Sequence, residues 1–169
     1  EDGFGLRPNI GIRGANSDRS AKITLMEDGV LLAPAPYAAP AAYYFPMSTR
    51  LVGVEVFKGP SATRHGPFTV GGALNVLTRE IPYEKTLVGD VSIGQWNTVK
   101  THAYSGLTGD STGVLFEGVN VRSDGFKDLD TGGPTGFERS EFMLKSEWLI
   151  RADHRLELKL GYATEESNE

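Results

Sequence analysis

Two unlike stretches joined end to end are what this sequence predicts: a compact α+β unit up to about Arg79, then a meander of antiparallel β-strands from Thr86 onward. The chain holds 21 Gly and 9 Pro, and in the first stretch these cut the apolar runs short. Apolar residues make up 39% of the chain without forming a long uninterrupted run, so no transmembrane helix is encoded. In the second stretch, segments of about ten residues alternate between apolar and polar, the pattern of strands that cross a membrane with one face in lipid. The same alternation suits a soluble sandwich with one wet face.

In the first stretch, short strands are expected over Asn9–Arg13, Lys22–Leu32, Gly53–Phe57 and Gly72–Thr78. Asp28-Gly29 lies between two apolar runs and is the residue pair that a two-residue hairpin turn selects, because both central positions need positive φ. Gly59-Pro60 ends a strand, since proline cannot donate to a ladder, and Gly71-Gly72 permits close approach of backbones.

In the second stretch, Leu87, Val91 and Ile93 alternate with Asp90 and Ser92, and Val99, Ala103 and Leu107 alternate with Lys100, His102 and Tyr104. The clearest pair comes last. Phe142, Leu144, Trp148 and Ile150 share one parity against Glu141, Lys145, Glu147 and Arg151; Leu156, Leu158, Leu160 and Tyr162 then oppose Glu157 and Lys159. The connections at Trp96-Asn97, Gly109-Asp110-Ser111 and Ala152–His154 are tight, whereas Ser123–Arg139 is long and rich in Gly and Asp. Outer-membrane barrels have short periplasmic turns and longer outside loops, which would put the long connection outside the cell.

Composition removes several classes of function. There is no cysteine, hence neither a disulfide framework nor a thiolate metal site. A net charge of −5 without a Lys/Arg run argues against nucleic acid as a partner. No Walker or dinucleotide spacing is present. No catalytic constellation is legible either, so the protein is not expected to be an enzyme, and no cofactor is implied. His65, His102 and His154 lie far apart and no metal is assigned to them. Asp128, Asp130 and Gly132-Gly133 fall short of a calcium loop, whose terminal Glu is missing, and read as a solvated loop.

Two stretches resemble the plug signature of TonB-dependent outer-membrane receptors. One is Ile10-Gly11-Ile12-Arg13-Gly14 followed by Ile23-Thr24-Leu25-Met26-Glu27-Asp28-Gly29-Val30. The other is Val54-Glu55-Val56-Phe57-Lys58-Gly59-Pro60-Ser61-Ala62, continuing through Gly66 to Gly71-Gly72-Ala73-Leu74-Asn75-Val76-Leu77-Thr78-Arg79. Arg7-Pro8-Asn9-Ile10 and Ala35-Pro36-Tyr37 are most similar to ferric-dicitrate-type siderophore receptors. Those receptors carry a glutamine just after the Pro-Tyr, where Ala38-Ala39 stand here, a departure that weighs against citrate.

The resemblance implies a fragment: an α+β plug domain over residues 1–82, lacking its N-terminal part, followed over 83–169 by the first strands, about five, of a transmembrane β-barrel, 22-stranded in complete members. It also implies a bacterial outer-membrane location, contact with outer-membrane lipid, and import of a ferric chelate or similar small nutrient. The TonB complex would act through a segment preceding Glu1. A surface binding or signalling receptor without transport, and a soluble β-rich binding module, are the alternatives.

Site residues follow from the same resemblance and from side-chain chemistry. Basic residues at the places of Arg13 and Lys58 pair with barrel glutamates in the family and hold the plug in register; a solvated strand-end cation is the plainer reading. Tyr37, Tyr43 and Tyr44 belong to a Pro/Ala-rich segment that would be an apical plug loop facing the ligand, where aromatics offer a flat surface with a polar tip. Packing of Tyr43 or Tyr44 into the core is the competing role. Arg19, in a polar loop, suits an anionic chelate by charge and by its bidentate fork, with a plain surface arginine as the competing reading.

Overall fold

The computed structural model describes residues 6–32, 44–66, 69–127, 132–133 and 135–168. The chain divides into two compact units, Glu1–Arg79 and Glu80–Glu169.

The first unit is a four-stranded sheet of β1 (Ile23–Glu27), β2 (Val30–Leu31), β3 (Leu51–Phe57) and β4 (Gly72–Thr78), in the order β2-β1-β4-β3. β1 runs parallel to β4, while β2 and β3 are antiparallel to their neighbours. All five residues of β1 are buried, because both faces of this central strand are covered. On one face Ile23, Leu25 and Leu32 pack against Ile10, Ile12, Tyr44, Phe45 and Leu74. On the other, Met26 meets Ala62, Ala73 and Phe57. Each fully buried aliphatic side chain here contributes about 1.5–3 kcal/mol. Helical structure among the described residues is limited to 3-10 turns at Asp18–Ser20, Ser48–Arg50 and Gly59–His65.

The Asp28-Gly29 pair makes the expected turn between β1 and β2, with φ of 49° and 81°. The Asn9–Arg13 stretch is not a strand. Its backbone bonds go to side chains and a local turn instead: Ile10 N donates to Ser20 Oγ (3.0 Å), and Ala15 N to Ile12 O (3.1 Å), which puts Arg13 and Gly14 at positive φ.

The second unit is an antiparallel meander of β5 (Thr86–Ile93), β6 (Val99–Thr108), β7 (Thr112–Ser123), β8 (Phe137–Arg151) and β9 (His154–Ser167), each strand paired with the next. The registers Phe142↔Tyr162, Leu144↔Leu160 and Trp148↔Leu156 place the apolar parity of β8 and β9 on one face, and Phe116↔Leu144 and Leu107↔Val114 continue it across β7 and β6. Leu87, Val91 and Ile93 extend the same face on β5 and are largely exposed. The opposite face is less uniformly polar than alternation implies: Leu115, Val119 and Met143 are buried there alongside Glu117, Arg139 and Glu141. No helix among the described residues is long and apolar enough to cross a membrane.

Candidate functional site

The described residues of the first unit form three groups of polar side chains. At one end of the sheet, the Asp28 carboxylate accepts from Thr78 N (2.8 Å) and from the Thr78 hydroxyl, while Asp28 N donates to Val76 O (2.9 Å). Gly29 N donates to Asn75 Oδ1 (2.8 Å), and Asn75 Nδ2 to Glu55 Oε2 (2.8 Å). The β1–β2 turn is thereby tied to the last residue of β4 and, through Asn75, to β3.

On the face of β1 that carries Glu27, the buried Arg50 reaches Tyr44 Oη (2.8 Å) and Glu27 Oε1 (3.4 Å), and the Tyr44 hydroxyl lies 3.3 Å from Glu27 Oε2. Tyr44 thus has its ring on the Ile23/Leu25 cluster and its hydroxyl in an internal polar network. Tyr37 and Tyr43 lie outside the described residues, as do Ala38-Ala39, Asp128 and Asp130.

At the opposite end of the sheet, Arg13 comes beside the backbone that follows Lys58: its Nη1 is 3.9 Å from where a Cβ on Gly59 would sit. Both cations are exposed. Next to them the rings of Phe57 and His65 lie 4.3 Å apart at 30°, Arg64 Cζ is 5.7 Å from the Phe57 centroid, and Arg64 Nε donates to His65 Nε2 (3.1 Å). Arg19 lies in the polar loop before β1. It is exposed, at φ 47°, with its N–H on Asn9 Oδ1 (2.9 Å), and the next residue, Ser20, is also left-handed at φ 57°. Two such non-glycine residues in a row are uncommon; Ser20 Oγ, donating to Pro8 O while accepting from Ile10 N, helps hold them.

On the inner face of the meander, His102 Nε2 is 2.8 Å from Glu117 Oε1, and Arg139 joins Glu141 to Glu165 across β8 and β9 (Nη1 to Glu165 Oε2, 3.1 Å). Arg155 does the same for Glu147 and Glu157, at 2.8 Å to each. No group of three or more metal-ligating side chains occurs among the described residues. Sequence reasoning missed Arg50, Arg64 and Arg139. The available signal was faint: each is a cation flanking or within a strand or turn, and its partners are set by register or packing.

Residues 1–73 match the sequence model of the TonB-dependent Receptor Plug Domain. The chain is similar in fold to the ferripyoverdine receptor of the outer membrane of Pseudomonas aeruginosa bound to ferripyoverdine (TM-score 0.67, 16% identity, 83% of this chain and 18% of that one). It is similarly close to a mutant of the ferric enterobactin receptor from Pseudomonas aeruginosa in complex with enterobactin (0.69, 17%, 97% and 28%). A third likeness is to the copper transporter OprC (0.66, 18%, 86% and 23%). The chain therefore spans less than a third of the length of each of these proteins. Residues 1–73 thus resemble a TonB-dependent receptor plug domain, and the chain as a whole has the fold of the corresponding part of receptors of the bacterial outer membrane.

Proposed function

We propose that this chain is the plug and first wall strands of a TonB-dependent transporter that imports a ferric chelate across the outer membrane. The observation that carries the proposal is the join itself: a plug-family sequence over residues 1–73 runs directly into a meander with one apolar and one charged face. In this reading the plug closes the pore, the ligand is held from outside by apical plug residues (Arg19, Tyr37, Tyr43 and Tyr44), and the TonB complex works on the plug from the periplasm. No bond in the cargo is made or broken. Of the structurally similar proteins, one binds ferripyoverdine, one is a ferric enterobactin receptor and one is a copper transporter, which supports a metal or metal chelate as the cargo class.

The test is uptake of radiolabelled iron chelates by cells that have or lack the intact receptor, each with and without TonB. Uptake that needs both is expected. Surface binding without TonB-dependent uptake would favour a binding or signalling receptor instead. Arg13 and Lys58 are assigned to holding the plug in register by charge pairs with carboxylates of later strands. Arg13→Ala should then raise leakage of small solutes through the receptor, and tight plugging by this variant would remove the assignment.

A further inference from the structure

The end of the plug sheet that carries Arg13 and Lys58 contains a third cation, and its setting differs from that of an ordinary surface arginine. An exposed Arg normally samples many rotamers. Arg64 is held on two sides, with its guanidinium over the Phe57 ring and its Nε–H donated to His65, whose own ring packs against Phe57 at a tilt of 30°. Those contacts leave the two terminal nitrogens of the guanidinium without a hydrogen-bond partner among the described residues. Arg64 makes no ion pair among the described residues either, although the chain as a whole carries a net charge of −5. A planar fork, preorganised by stacking and with its outer donors open, matches the two oxygens of a carboxylate or a similar chelating oxyanion.

We propose that Arg64, seated on Phe57 and bonded to His65, is an anion-contact residue of the plug that binds an oxyanion group of an anionic metal chelate. Phe57 and His65 are positioning residues that fix the fork. This rests on the import reading for the identity of the ligand; the presence of an oxyanion site does not depend on it.

The test uses the full-length receptor, with barrel folding checked by heat-modifiable gel mobility. In one arm, purified receptor in detergent is titrated calorimetrically with metal-free citrate as a simple oxyanion. In the other, whole cells at 0 °C bind iron-labelled ferric enterobactin or ferric citrate, both anionic, or ferrioxamine B, which is cationic. Arg64→Gln should weaken citrate and the bound anionic chelate by about tenfold, the loss of one charge-assisted bidentate contact, and leave the cationic chelate unaffected. Arg64→Lys, which keeps the charge and loses the fork, should recover only part of that affinity. His65→Phe keeps the stacking, removes the acceptor and should fall between wild type and Arg64→Gln. Citrate and anionic-chelate affinities within twofold of wild type in Arg64→Gln would overturn the proposal. So would unchanged affinity accompanied by solute leakage, which would make Arg64 another plug-holding cation. If wild type binds citrate in an Arg64-dependent way but takes up no iron chelate, the oxyanion site stands and the import reading fails.

Discussion

Asp28 shows how one residue serves two structural purposes of which only one is local. As the first residue of an Asp-Gly turn it tolerates a φ of 49°, and that much follows from its neighbours. Its carboxylate is also the acceptor for the N–H and hydroxyl of Thr78, 50 positions away, at the point where the first unit ends. Thr78 is almost fully buried and Asp28 half-buried, so removing the hydroxyl takes one bond from a partly desolvated carboxylate. Thr78→Val, which preserves shape, should therefore cost about 1–3 kcal/mol of local stability. Hydrogen exchange on the intact receptor should show β1 and β4 amides losing protection while those of β8 and β9 do not change. Unaltered protection in β4 would mean that the contact carries no net stability. Tyr44 makes a related point: an aromatic expected at the ligand has its hydroxyl committed to Arg50 and Glu27, so any ligand contact must come from its ring or from exchange of those bonds.

Among the elements, β8 and β9 state the membrane argument most clearly, because their pairing keeps parity in register over nearly their whole length. A slip of one residue would turn every side chain to the other face. The register Ser146↔Leu158 puts Leu158 on the face shared with Leu144 and Leu160, and Lys145↔Lys159 puts Lys159 on the other. Leu158→Arg should consequently destabilise the receptor by roughly 2–4 kcal/mol if the residue sits near the bilayer midplane, while Lys159→Arg should change little. Urea titration of the refolded receptor in lipid vesicles measures both. Equal costs at the two positions would mean that the apolar face does not meet hydrocarbon. The bulge between Leu149 and Arg151 beside the Ala152-Asp153 turn confines the only irregularity of this pair to its end.

For the whole molecule, strand count and direction set which connections share a side. β5 and β6 join through Gln95–Thr98 and β7 and β8 through 124–136, and these two connections lie at the same end of the meander: Asp124 N donates to Trp96 O (2.9 Å), and the Trp96 and Phe126 rings are 5.9 Å apart. The Gly109–Ser111 and Ala152-Asp153 turns lie at the other end. With the Gly109–Ser111 and Ala152-Asp153 turns periplasmic, the 124–136 connection, and the short Gln95–Thr98 turn beside it, face outside. An epitope inserted beside Gly132 in the full receptor should thus be reached by antibody on intact cells. Labelling that requires a permeabilised outer membrane would reverse the orientation of every strand.

What the sequence by itself determined was whatever depends on near neighbours: the period-2 faces of β5 to β9, the Asp28-Gly29 turn, the strand over Gly72–Thr78, and the plug motif that matches the family over residues 1–73. Side-chain alternation is a property of each strand alone, so it can be read without knowing the partner. Tertiary structure decided the rest. Ile10–Arg13 has strand-like residues but no sheet neighbour to pair with, and Ser20 Oγ takes its backbone bond instead. The inner face of the meander was expected to be charged, yet Leu115, Val119 and Met143 are buried among its charges, because burial depends on what covers a strand and not on its own alternation. The groupings Glu27–Arg50–Tyr44, Arg64–His65–Phe57 and Arg139–Glu141–Glu165 follow from register and packing. Most of these partners are distant in the chain, and a side chain's charge and length do not reveal which distant group it will meet.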